Sequence, residues 1–210
     1  MKKIFFKQFN FLIEFDKNIK KCNIESSSIY RETAINIKDL ITYSSDDIPL
    51  DVEKNAFIIH NPYIFNINDT KNLKYLYKNL EINIKKNFLN DVIKLESDVL
   101  ELIEIITNDF DFPLDYNENI DLQKLFVSVG LEFKEPTTYI EKLVYYIKLI
   151  KEINKISLII SFGLLNLLEE NEIDLLEKEL IINEIVLIDF NLSHKNANVD
   201  IIIDQDWCII

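Results

Sequence analysis

The chain is 210 residues long, 48% hydrophobic, and carries a formal net charge of −13 with two cysteines and two glycines. Such a length and apolar share build one compact unit or two small ones, and the acidic balance argues against a simple electrostatic binder of nucleic acid. Cys22 and Cys208 have no metal-ligand spacing, so reduced thiols are expected rather than a disulfide framework.

From the N-terminus, Ile4-Phe5-Phe6 and Phe11-Leu12-Ile13-Glu14-Phe15 predict a hairpin-like pair of strands, and Lys20 to Ile24 a third. Ser26 to Ser28 offer N-caps for a helix running to about Tyr43, with Ile29, Ile35, Ile37 and Leu40 facing inward. Asp46-Asp47-Ile48-Pro49 reads as a loop, and Ala56 to His60 as a buried strand ended by Asn61-Pro62. Asp69 or Thr70 caps the next helix, whose Leu73, Leu76, Leu80 and Ile84 make an apolar stripe. Asp91 to Thr107 and Thr137 to Ile153 are long helical patterns, separated by an acidic loop and a shorter helix, Ile120 to Ser128. Thr138 and Glu141 form a capping box at the start of the later helix. Val92, Leu95, Val99, Leu102 and Ile106 are expected to pack on Ile140, Leu143, Ile147 and Ile150 as an antiparallel helical pair.

Lys155 to Asp189 then reads as strand, helix, strand. Ile156 to Ser161 and Glu184 to Asp189 are short β-branched runs suited to a buried parallel sheet, while Glu172 to Ile182 has helical apolar spacing. This is the skeleton of nucleotide-binding α/β proteins, yet Gly130 and Gly163 stand far apart and no glycine-rich phosphate loop can be written. The most apolar window, Ile156 to Leu168, has 13 residues, short of the roughly 20 a membrane-spanning helix needs. The charged start runs into amphipathic sequence, so the expectation is a cytoplasmic protein with no secretory signal and no membrane partner. Val199 to Ile203 and Trp207 to Ile210 are β-prone and expected to tie back into the body. The expected fold is α/β: a P-loop-NTPase-like sheet body without a phosphate-binding loop, residues 1–87 and 154–210, with an α-helical subdomain inserted at 88–153.

Charge is unevenly spread. Residues 1–90 hold 14 basic and 11 acidic side chains, whereas residues 91–210 hold 9 basic and 25 acidic. On composition alone that asymmetry is an acidic solubilising surface before it is one basic working surface on a repelling body.

The order and spacing of several segments carry a resemblance. They are Leu114-Asp-Tyr-Asn-Glu118, Leu125 to Gly130 closing a short helix, the helix from Thr138, the unit from Lys155 through Gly163 to Asp189, and Ile203-Asp-Gln-Asp-Trp-Cys-Ile-Ile210. In these the chain resembles the Csn-two family, the adaptation protein of type II-A CRISPR loci, most clearly from Leu95 onward. The resemblance implies an α/β head with a helical leg and a homotetrameric ring, through whose lysine-lined hole double-stranded DNA ends pass during spacer acquisition. It also implies work beside the CRISPR integration proteins and the RNA-guided nuclease, no catalytic activity, no nucleotide, and calcium as a structural cofactor. Two other readings are a degenerate nucleotide-binding, ATPase-like protein and an acidic protein-interaction module without DNA binding.

The DNA-binding candidates are Arg31 and Lys38 on the first helix, Lys54 before the strand ending at His60, and Lys71, Lys74 and Lys78 on the helix after it. The last three lie three and four apart, hence on one face. Alone, such a row is a solvated helix face; with the resemblance, it is a row that tracks a phosphate backbone without reading bases. Arg31, Lys54 and Lys74 have basic counterparts in the family pattern. The metal candidates are Asp111, Asp115 and Glu118, in a loop that also holds Asn108, Asp109, Asn117 and Asp121. An EF-hand is excluded, because counting from Asp109 puts Leu114 at the required glycine and Ile120 at the bidentate glutamate. The family's calcium loop aligns near Asp115 and Glu118, but Pro113 and Asn117 stand where carboxylates would be expected.

A catalytic reading has little behind it. Asp189, Asp204 and Asp206 would have to converge for two-metal chemistry, and His60 and His194 are isolated. Ser161-Phe162-Gly163 only echoes a nucleophile elbow, and Trp207 reads as a packing anchor.

Overall fold

The computed structural model describes residues 1–8, 10–117, 119–193, 199–206, 208 and 209. Its strands are β1 (Lys2–Phe6), β2 (Phe11–Glu14), β3 (Ile19–Ile24), β4 (Ile41–Ser45), β5 (Ile48–Leu50), β6 (Ala56–Ile59), β7 (Leu158–Phe162), β8 (Val186–Leu192) and β9 (Ile201–Ile203). Its helices are α1 (Ser27–Leu40), α2 (Val52–Asn55), α3 (Thr70–Asn87), α4 (Leu89–Asn108), α5 (Leu122–Ser128), α6 (Tyr139–Asn154) and α7 (Glu170–Ile182). The chain divides into two compact units, Met1–Asn66 with Glu135–Ile210, and Ile67–Lys134.

The first unit is built on a parallel five-stranded sheet in the order β6-β7-β8-β3-β9. Its central strands β7 and β8 are buried along almost their whole length because both faces are covered. On one face Cys22, Ile24, Ile160, Ile188 and Phe190 pack with Ile29 and Ile37 of α1 and with Ile4, Phe6, Ile13 and Tyr43 of the antiparallel sheet β2-β1-β4-β5. On the other, Ile159 and Leu187 pack with Leu143, Ile147 and Ile150 of α6 and Leu176 and Leu180 of α7. Neighbouring residues of a strand thus feed opposite layers, as the pleat requires.

Three expectations are corrected here. Helix α1 ends at Leu40 rather than near Tyr43, because Ile41–Ser45 pairs antiparallel with β1 and alternates buried and exposed positions at its start. Within α1, Thr33 is buried between Ile29 and Ile37, while Ile35 is 79% exposed; the inward stripe runs at intervals of four and passes Ile35 by. The loop at Asp46 is a tight hairpin turn, Asp46 and Asp47 both having positive φ (50° and 62°), and Ile48–Leu50 returns as a strand.

A fourth correction concerns the helices. The apolar face of α6 is taken by the sheet and α7, so α6 does not form the expected pair with α4. In α4 only Val92 is buried; Leu95, Leu102 and Ile106 are 40%, 56% and 55% exposed. By contacts α3 groups with α4 and α5 in one unit, and α6 with the sheet in the other.

The second unit has a small core. Val92, Leu122 and Phe126 are its buried members, with Tyr77, Leu80, Ile84 and Leu125 partly buried around them. Tyr77 lies against Phe126, its ring centroid 6.0 Å away, and its hydroxyl donates to the Leu131 carbonyl at 2.8 Å. Among the described residues no helix is long and apolar enough to cross a membrane.

Candidate nucleic-acid interface

In the sheet unit the cations sit on α1 and α2. Ser26 caps α1 by accepting from the Ile29 N–H, and Arg31 and Lys38 follow two turns apart on its exposed side. Arg31 Nε donates to the Ser27 carbonyl at 3.2 Å and meets no carboxylate at ion-pair distance among the described residues. Lys38 is different: its amine lies 2.6 Å from Glu53 of α2. Lys54 is exposed and lies 3.5 Å from Asp51, the residue that caps α2. A phosphate approaching Lys38 or Lys54 therefore meets a carboxylate as well.

In the helical unit Asp69 caps α3 by accepting from the Asn72 N–H at 2.8 Å. Lys71, Lys74 and Lys78 follow, all exposed, spanning about 10 Å along the helix axis. Lys74 and Lys78 make no ion pair among the described residues. Further along, Lys85 is bound to Glu81 at 2.6 Å, and Glu81 also accepts from Gln123 at 2.6 Å. The Lys85 pair, with the Gln123 bond adding to it, holds the Glu81 carboxyl below its ordinary range, and Glu81 in turn raises Lys85. Lys74 and Lys78 thus lie N-terminal to a cation already neutralised on the same helix. Ammonium groups without a carboxylate partner bind phosphates as point charges, without reading sequence.

In the acidic loop, Asp111 and Asp115 are exposed. Glu118 lies outside the described residues, as do His194 and Trp207. Among the described residues no group of three or more His, Cys, Asp or Glu side chains is placed to hold a metal ion. Asp121 caps α5 through the Lys124 N–H at 3.1 Å, and Asn117 accepts from the Asn119 N–H at 3.1 Å. These carboxylate and amide oxygens serve the loop's own backbone.

The sequence reading missed a buried polar network at the C-terminal ends of β7 and β8. Asp189 is fully buried. Its carboxylate accepts from Ser161 Oγ at 2.6 Å, the Leu164 N–H at 2.9 Å, the Leu165 N–H at 3.1 Å and Asn191 Nδ2 at 3.1 Å. Asn166 Nδ2 holds Asn191 Oδ1 at 2.6 Å. Burial pushes the Asp189 carboxyl above its ordinary value, and the four hydrogen bonds oppose that shift. Ser161 is equally buried, and its proton goes to Asp189, so it is not poised as a nucleophile. His60 stacks on Phe162, on the opposite face of the sheet, at 5.8 Å. Asp204 accepts from the Asp206 and Cys208 N–H groups at 2.9 and 2.8 Å, pinning the tail rather than joining Asp189. The available signal was an aspartate closing an apolar strand opposite a serine, but its main-chain donors leave no trace in residue types.

At the start of α1 a cavity of about 430 Å³ is lined by Glu25, Ser26, Ser27, Leu192 and Gln205. A helix N-terminus favours anions, but the Glu25 carboxylate among these residues opposes a phosphate there.

Comparison with known families places the chain by a matching family. The family described as CRISPR-associated protein (Cas_Csn2) matches residues 35–207, a span that takes in most of both compact units. No curated protein matches the chain significantly.

Proposed function

The chain belongs to the Csn2 family of CRISPR-associated proteins, and from that premise we propose a non-catalytic, sequence-independent binder of double-stranded DNA ends, acting as a homotetrameric ring in spacer acquisition. In this reading the sheet unit is a P-loop-NTPase-like head and the helical unit its leg. The integration proteins and the RNA-guided nuclease are its partners, and calcium bound through Asp111, Asp115 and Glu118 is its structural ion.

The observation that carries the DNA reading is the exposed face of α3, where Lys74 and Lys78 have no carboxylate partner among the described residues. In a chain of net charge −13, cations left uncompensated on one helix face make a local surface that attracts what the rest repels. The apolar stripe of α4 supports assembly, since Leu102, Ile105 and Ile106 are each more than half exposed and side by side. An assembly would then gather several α3 rows on one DNA.

Topology of the DNA separates the readings. A linear duplex should bind with a steep inverse dependence on salt, while a covalently closed minicircle of the same sequence should not load. Equal binding of both would remove the ring; no binding of either would favour the acidic interaction module.

A further inference from the structure

The turn that follows β7 has the geometry of an anion seat. Gly163 is left-handed, at φ +78°, and Leu164 is right-handed, at φ −62° and ψ −46°. Two successive residues of opposite hand turn their N–H groups toward one point, the concavity with which phosphate-binding loops hold anions. Its position is also that of a ligand seat, because open α/β sheets bind ligands beyond the carboxyl ends of their strands. The glycine is required by its φ and not by crowding: a Cβ there would meet only Asn191 Oδ1, at 3.9 Å.

Here the seat is filled from within. The Leu164 and Leu165 N–H groups donate to Oδ1 and Oδ2 of Asp189, one oxygen each. Ser161 joins at Oδ1 and Asn191 at Oδ2, so each carboxylate oxygen takes two donors. Asn166, three residues beyond Gly163, fixes Asn191 in turn. The third N–H of the turn, that of Gly163, is spent on the Phe190 carbonyl at 2.9 Å, extending the β7–β8 ladder. Every donor around the seat is thus satisfied by the chain itself, and Asp189 has no exposed surface.

We propose that Asp189 is an internal ligand: its carboxylate occupies the anion seat of the turn at 163–165, so the native chain admits no phosphate or nucleotide there. Removing that side chain opens the seat to a small carboxylate ion. Buried donors left without an acceptor are costly, so an emptied seat demands a replacement anion of the same charge and shape. The proposal is independent of the DNA reading, and its failure would leave that reading untouched.

Formate is the group that Asp189→Ala removes, which makes it the probe. Thermal melts of the native chain and the variant are compared in formate and in chloride at equal ionic strength. Formate should raise the Tm of the variant by about 2–4 °C and leave the native chain unmoved, as should phosphate and ATP on the native chain. A folded variant indifferent to formate overturns the proposal, and so does a native chain stabilised by phosphate or ATP through this turn. Where the variant does not fold, amide spectra of the native chain decide. The Leu164 and Leu165 N–H signals should exchange slowly and stay fixed as phosphate is added; their movement overturns the proposal.

Discussion

The two compact units treat their apolar side chains differently. In the sheet unit Leu158, Ile159, Ile160, Leu187 and Ile188 are fully buried, covered on both faces by helices and a second sheet. In the helical unit the buried cluster is Val92, Leu122 and Phe126, and α4 leaves a line of leucines and isoleucines in contact with solvent. The first is finished by its own chain. The second leaves an apolar stripe uncovered by its own residues, and the proposed assembly rests on that stripe.

Substitutions can break that contrast. Ile188→Ala, in the sheet, should lower unfolding stability by about 2–5 kcal/mol, read as a fall in the urea midpoint. Leu102→Ala on α4 should stay within about 0.5 kcal/mol in the dissociated chain. Equal costs would mean that α4 is part of a core after all. Leu102→Glu together with Ile106→Glu should lower the native mass while leaving the far-ultraviolet circular dichroism unchanged; an unaltered mass would take assembly off this face.

A smaller effect is expected at the cations. Lys74→Glu should weaken duplex binding and reduce the slope of log K against log salt by about 0.9 for each phosphate left without its cation. Lys38→Glu should do less, because Glu53 already neutralises that amine. A reversed order would move the site to α1.

The smallest effect is a pH dependence confined to the sheet unit. Tyr139 donates to the Pro62 carbonyl at 2.5 Å, and burial, aided by the Asp189 charge, pushes its phenol to about 12. The unfolded phenol ionises near 10, so the folded form holds its proton more tightly. This stabilisation is complete below about pH 10 and lost as pH rises through about 12. Tyr139→Phe should remove that slope from denaturation midpoints measured across this window.

Periodicity and turn chemistry made most elements legible. The capping box at Thr138 and Glu141 and the cap at Asp69 fall where the residue types put them. What periodicity does not name is a partner. Both α4 and α6 carry apolar stripes, and the sheet and α7 take that of α6. Ile41-Thr42-Tyr43 suits helix or strand alone, and the register with β1 decides for strand. At the candidate interface the cation types and their helical spacing were visible. The ion pair joining Lys38 of α1 to Glu53 of α2 was not, since it depends on how two helices pack. The Asp189 seat was hidden for another reason: two of its four donors are main-chain N–H groups, which every non-proline residue owns.

Strand order has a consequence for how the chain is made. β3, at Ile19–Ile24, has as its neighbours β8, from Val186, and β9, from Ile201. On a ribosome this strand emerges with both edges unpaired and stays so until β8 and then β9 have been synthesised. The three helices from Thr70 to Ser128 lie in the compact unit that ends at Lys134. All of that unit is therefore synthesised before β3 can meet β8 or β9. During that wait the apolar edge of β3 is the segment most in need of shelter from other nascent chains.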